Sequence, residues 1–171
     1  MMATVPETIH TQPPSLRFLP RRLFDPHRPI TYLLLAWPLV SLPSLLLSAL
    51  AMNLAGPEAG PAFDADGVPL FIVLVLFAPM LETLIMGAVL VVLQRVVGTG
   101  PAVLLSALGW GLAHSLAAPA WGLVVWWPFL IFSAAFMAWQ QRGFWRAWAL
   151  VSTLHALQNL IPSALVAFQL G

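Results

Sequence analysis

The sequence predicts an all-α membrane protein, a polytopic bundle of about five transmembrane helices with its N-terminus inside the cell. Composition is the first observation, because 60% of the 171 residues are hydrophobic and only 8% are charged. Soluble domains carry about three times that share of charge. The second observation is that apolar runs of about 20 residues, enough to cross a bilayer, recur along the chain. No alternation typical of strands competes with these runs.

The residues before the first apolar run have a different composition, rich in proline and arginine. Such a segment resists helix formation and buries little apolar surface. We therefore expect residues 1–29 to form a disordered cytoplasmic arm and residues 30–171 to form the transmembrane helical domain. A cleaved signal peptide is the alternative, but the first run covers residues 30–52, which is longer than the roughly 7 to 15 residues of a signal-peptide core. The arginines of the arm are Arg17, Arg21, Arg22 and Arg28.

Five apolar runs follow in order, and each is a candidate span. Pro38 and Pro43 interrupt the first run and Pro128 interrupts the fourth, which predicts kinks in those helices. The third and fourth runs meet at Ala118, Pro119 and Ala120, which predicts an antiparallel hairpin with a short turn. The runs cover residues 30–52, 68–93, 101–118, 121–139 and 145–167.

The arginines predict the orientation, because cytoplasmic loops carry an excess of positively charged residues. With five spans, all the arginines fall on one side, and the acidic connection 53–67 falls on the other. This places the N-terminus inside and the C-terminus outside.

Composition also limits the partners and the chemistry. A net charge of only +1 without a basic stripe argues against nucleic acid as a partner. Membrane lipid is the expected partner instead, and the oligomeric state stays open. Because the chain has no cysteine, disulfides, thiolate metal sites and a cysteine nucleophile are excluded.

Four polar side chains interrupt the apolar runs: Glu82, His114, His155 and Asn159. Polar groups at membrane depth are costly and usually functional, and Glu82 is the only acidic residue inside any of the runs. His155 and Asn159 are four residues apart and share one helix face. Counted from the cytoplasmic helix ends, Glu82, His114 and Asn159 lie roughly 18 to 20 Å deep and His155 roughly 14 Å deep. All four can therefore share one pocket.

These groups suit the hydrolysis of an amide bond. A carboxylate beside an imidazole can hold and deprotonate a water, while a second imidazole and an amide stabilise the oxyanion. The chain has no His-Glu-x-x-His zinc motif, no Gly-x-Ser-x-Gly elbow and no aspartate within a span. We expect metal-free chemistry. The alternative is a zinc site with an open position, formed by Glu82, His114 and His155.

Three segments around these residues resemble the motifs of the CPBP family of intramembrane peptidases, which comprises CAAX-protease and bacteriocin-processing (Abi) proteins. The family motifs are Glu-Glu-x-x-x-Arg, Phe-x-x-x-His and His-x-x-x-Asn or Asp. They are similar here to residues 78–84, 110–114 and 155–159, and the resemblance extends over about residues 78–167. It implies an intramembrane protease of the glutamate type, often labelled a metalloprotease, in the bacterial cytoplasmic membrane, with a peptide or protein substrate in the membrane as its partner.

The resemblance also implies roles for the four residues. Glu82 is the expected general base, and His114 is expected to help bind and polarise the attacking water. His155 and Asn159 are expected to stabilise the oxyanion.

The chain departs from the family pattern at three positions. Thr83 replaces the second glutamate, Gly87 replaces the arginine, and Trp110 replaces the phenylalanine. Two alternatives therefore stay open. One is a catalytically inactive CPBP-like protein that binds a membrane partner or confers immunity, and the other is a small proton-coupled transporter.

Overall fold

A computed structural model describes residues 12–56 and 60–170 of the chain. The predicted all-α fold is confirmed, because these residues form helices and turns and contain no strand. Five long helices make up the fold. They are α1 (Pro29–Ala55), α2 (Gly67–Val97), α3 (Thr99–Ser115), α4 (Trp121–Trp139) and α5 (Phe144–Ala167).

Among the described residues, the four helices α1, α2, α4 and α5 are long and apolar enough to cross a membrane. The chain therefore has the helices of an integral membrane protein. The helix α3 has 17 residues, which gives a length of about 25 Å against a hydrocarbon core of about 30 Å. A fifth span through α3, and the N-terminus inside, stay predictions.

The central helix of the bundle is α4. Every residue from Pro128 to Trp139 is buried, and α4 packs against each of the other four helices. The outer helices instead expose many leucines and valines, as expected for helix faces that contact lipid. The core of the bundle is thus built around one helix that is apolar on all sides.

The predicted hairpin of α3 and α4 is present, with residues 116–120 forming the turn. Two glycines bring the helices together: a Cβ on Gly122 would lie 2.2 Å from the carbonyl oxygen of Gly111. Small residues at such crossings let helix backbones approach closely in membranes. The hairpin therefore depends on the absence of a side chain at position 122.

The N-terminal arm is ordered over residues 12–28, so the expectation of a disordered arm is wrong there. Its backbone forms two 3-10 turns, and the hydroxyl of Tyr32 in α1 donates a hydrogen bond of 2.8 Å to the carbonyl of Leu23. Burial of apolar side chains offsets the entropy lost on ordering the segment. Residues 1–11 lie outside the described residues. The buried apolar side chains of the arm are Leu16, Leu19, Leu23 and Phe24.

The helix prolines Pro38, Pro43 and Pro128 lie inside continuous helices. Pro43 has no N–H to donate to the carbonyl of Leu39 one turn earlier, and the indole N–H of Trp127 donates to that carbonyl at 2.9 Å instead. In α2, the backbone takes the wider π-helical form over Val73–Phe77, just before Pro79. This local widening lies next to the residues predicted to form the site.

Candidate active site

The centre of the candidate site is a pair formed by Glu82 of α2 and His155 of α5. The Oε2 atom of Glu82 lies 3.7 Å from the Nε2 atom of His155, close enough for an ion pair and longer than a direct hydrogen bond. The side chain of His155 is 6% exposed, and that of Glu82 is 26% exposed. The carboxylate is therefore the member of the pair that a substrate or a water can reach.

Aromatic rings from α4 enclose His155. The ring of Phe132 lies 4.6 Å from the imidazole, centroid to centroid, and the ring of Phe129 lies 5.4 Å from it. The Nδ1 atom of His155 is buried and has no hydrogen-bond partner among the described residues. A buried polar atom without a partner is costly and is often found at functional sites. The imidazole is thus held by packing, with Glu82 as its polar neighbour.

Asn159 lies one turn after His155 and contacts the π-helical segment of α2. Its Nδ2 atom donates a hydrogen bond of 3.0 Å to the carbonyl oxygen of Leu74. A side-chain amide has two N–H donors, so one N–H remains for another acceptor. Asn159 therefore joins the two helices that carry Glu82 and His155.

The turn between His155 and Asn159 is also held from the other side by α1. The indole N–H of Trp37 donates to the carbonyl of Leu157 at 3.2 Å, and the hydroxyl of Ser41 donates to the side chain of Gln158 at 2.6 Å. These bonds position the helix turn that carries two of the candidate residues.

His114 lies near the end of α3 and is held mainly by its own helix. Its Nδ1 atom donates to the carbonyl of Trp110 at 2.8 Å, and its ring contacts Trp121 at 4.7 Å. It also contacts Phe129, the residue that packs against His155. Because a carbonyl only accepts, Nδ1 carries the proton, and Nε2 of the neutral ring is an acceptor.

The structure differs from the sequence prediction in the identity of the histidine that lies beside the carboxylate. The prediction paired Glu82 with His114, whereas His155 is the imidazole found next to Glu82. Among the described residues, no three acidic or histidine side chains are placed to share a metal ion. The alternative zinc site of Glu82, His114 and His155 is therefore not assembled in this arrangement.

Thr83 and Gly87, the two positions of α2 at which the sequence differs from the CPBP motif, are both buried. A Cβ on Gly87 would lie 2.3 Å from the ring of Phe136, so this ring fills the space that an arginine would need. Thr83 is fully buried, and its hydroxyl has no hydrogen-bond partner among the described residues. Neither position therefore supplies a charged partner for Glu82.

Several residues of the site were not found from the sequence. Phe129, Phe132 and Phe136 lie in an apolar run without ionisable side chains, so nothing marked them as site residues. The carbonyl of Leu74 could not be found because its exposure to Asn159 depends on the π-helical turn. The indole N–H of Trp148 in α5 donates to the carbonyl of Met80 in α2 at 3.0 Å, a contact between an indole and a backbone group that has no sequence signal.

No family model, curated protein or solved structure matches this chain.

The arrangement offers a reachable carboxylate, a buried imidazole and an amide with a spare N–H within two packed helices. A carboxylate can take a proton from water, and an N–H donor can stabilise a developing oxyanion. His114 adds an acceptor nitrogen beside Phe129, the ring that also contacts His155. These are groups that acid–base chemistry at a polarised carbonyl requires.

Proposed function

We propose that the protein is an intramembrane endopeptidase that hydrolyses a peptide bond of a membrane-associated substrate. The observation that supports this function best is the contact of 3.7 Å between Glu82 and His155. Ionisable residues that meet across helices inside a membrane protein usually mark a functional site. The resemblance of the surrounding segments to the CPBP motifs supports the same function.

In this proposal, Glu82 is the general base. The carboxylate takes a proton from a water while the water oxygen bonds to the carbonyl carbon of the substrate, and the carbonyl oxygen becomes negative. The C–N bond then breaks as the protonated Glu82 returns the proton to the amine nitrogen. The mechanism uses no metal, and the net reaction consumes one water.

The other three residues support this step. His155 positions and stabilises the carboxylate of Glu82, which replaces the oxyanion role that the resemblance suggested for this histidine. Asn159 keeps one N–H for the oxyanion after its bond to Leu74. The acceptor Nε2 of His114 binds a hydrogen of the attacking water.

The test is a comparison of the membrane proteomes of cells that carry either the wild-type protein or the variant Glu82→Gln. This substitution keeps the size of the side chain and removes its negative charge. We expect a full-length membrane protein to accumulate in the variant and its cleaved form to disappear. Thr153→Ala is the matched control, because Thr153 is exposed and bonds only to its own helix.

A second candidate function is a catalytically inactive protein that binds a membrane partner. The filling of the arginine position by Phe136 and the unpaired hydroxyl of Thr83 favour it. Such a protein would keep its cellular phenotype after both Glu82→Gln and His114→Ala.

A proton-coupled transporter would lose pH-dependent flux in vesicles and would yield no cleaved peptide. Both outcomes would contradict the peptidase.

A further inference from the structure

A groove of about 370 Å³ lies between the ordered arm and α1. Neither of the helices that carry Glu82 and His155 contributes to its lining. The arm contributes Pro20, Arg22 and Leu23, and α1 contributes residues between Tyr32 and Pro43. The lining is apolar except for Arg22 and Tyr32, and the hydroxyl of Tyr32 already donates to Leu23. The guanidinium of Arg22 is therefore the charged group available to an occupant.

The dimensions of the groove match one leaflet of a membrane. The stretch of α1 from Tyr32 to Pro43 rises about 16 Å, and half of a hydrocarbon core is about 15 Å. Arg22 belongs to the arm, which enters α1 at Pro29, so this end of the groove lies where the span begins. The volume falls within the range of roughly 300 to 1,000 Å³ that is usual for ligand pockets.

The groove is open to the surface that faces lipid. Leu35 and Leu42 line it, and both are exposed. Hydrocarbon chains therefore reach the groove directly from the bilayer.

The charge of the arm favours an anionic occupant. Arg17, Arg21 and Arg28 are exposed beside Arg22, and within residues 12–28 the acid Asp25 contacts His27. Basic segments next to a span attract anionic lipid headgroups. A guanidinium matches the geometry of a phosphate through paired hydrogen bonds.

We propose that this groove binds an anionic phospholipid, with one acyl chain along α1 and the headgroup phosphate on Arg22. The site is separate from the proposed catalytic residues and does not depend on peptidase activity. The bound lipid would contact both the arm and α1. Trp37 and Ser41 of α1 in turn bond to the helix turn that follows His155.

The test uses the full chain in phosphatidylcholine nanodiscs that contain a minor fraction of photoactivatable phosphatidylglycerol. Labelling is carried out at an ionic strength that screens the general attraction of the exposed arginines for anionic headgroups, and the labelled peptides are then mapped. We expect labelling of the groove residues of α1, and we expect Arg22→Gln to lower it by about tenfold. Arg21→Gln is the matched control, because Arg21 is a neighbouring exposed arginine outside the lining, and we expect a smaller decrease.

A second pair of variants tests the acyl-chain position. Leu35→Trp fills the groove and should abolish labelling, whereas Leu34→Trp adds the same ring at an exposed position outside the lining. This pair decides the question if Arg22→Gln does not fold. The proposal would be overturned if photoactivatable phosphatidylcholine labelled the groove equally, or if the two arginine variants had equal effects. It would also be overturned by unchanged labelling in Leu35→Trp, or by crosslinks to a second copy of the chain.

Discussion

The ring of Phe136 in α4 packs directly against the backbone of Gly87 in α2, five residues after Glu82. A Cβ on Gly87 would lie 2.3 Å from this ring, and both residues are buried. We predict that Gly87→Ala destabilises the protein by about 1 to 3 kcal/mol, the usual cost of overpacking. The effect is measured as a shift in the unfolding temperature, which size-exclusion chromatography of heated samples in detergent monitors.

The contact itself can be isolated with a second substitution. Phe136→Leu should reduce the cost of Gly87→Ala, because the shorter side chain leaves room for the new methyl group. Gly109→Ala is the control, since a Cβ on Gly109 meets no atom within 4 Å. Equal effects of Gly87→Ala and Gly109→Ala would show that the two helices are not packed in this way.

Trp127 replaces the hydrogen bond that Pro43 removes from α1. Its indole donates to the carbonyl of Leu39 at 2.9 Å, so Trp127→Phe should cost about 1 kcal/mol of stability. In a Pro43→Ala background, residue 43 regains its N–H and the cost should shrink. Trp145→Phe is a control at an exposed position. The same cost in both backgrounds would contradict the assignment.

The arm should be held on the bundle by its leucines. Leu16 is fully buried, whereas Phe18 is 62% exposed. We predict that Leu16→Ala leaves a cavity and loosens the arm, so that trypsin cleaves faster after Arg17, Arg21 and Arg22. Phe18→Ala should leave the cleavage rate close to that of the wild type. Rapid cleavage of the wild-type arm would contradict an ordered segment.

Asn159 should hold the π-helical segment of α2 in place. Asn159→Leu removes the N–H that bonds to Leu74, at a cost of about 0.6 kcal/mol, typical of such bonds in membranes. Hydrogen exchange of Val73–Phe77 should become faster, while Thr153→Ala should leave it unchanged. Unaltered exchange in Asn159→Leu would show that this bond does not restrain the segment.

Much of the fold could be predicted from the sequence, because lipid demands long apolar helices. The predicted run 121–139 coincides with α4, and the run 145–167 begins one residue after α5 does. The ordered arm was missed because its proline and arginine content indicates a solvated segment. The buried leucines at positions 16, 19 and 23 become informative only when a helix surface is present to cover them.

Part of the arrangement of the candidate residues could be predicted, whereas their role as a site stays a prediction. The residue counts placed Glu82 and His155 within about one helical turn of each other in depth, and the two side chains meet. Which histidine faces Glu82 depends on the rotation of each helix, and a count of residues along an axis does not contain that rotation. The partner of Asn159 is a backbone carbonyl, which has no signature in the sequence.

The central claim is that Glu82 and His155 act as one unit in peptide-bond hydrolysis. The most direct measurement is the amount of cleaved membrane substrate in cells that carry Glu82→Gln, His155→Ala or both changes, at equal protein levels. Groups that act together lose their effect together, so each single variant should lose most of the cleavage, and the double variant should lose no more than the larger of the two single losses. Cleavage that persists in Glu82→Gln, or losses that multiply in the double variant, would contradict the claim.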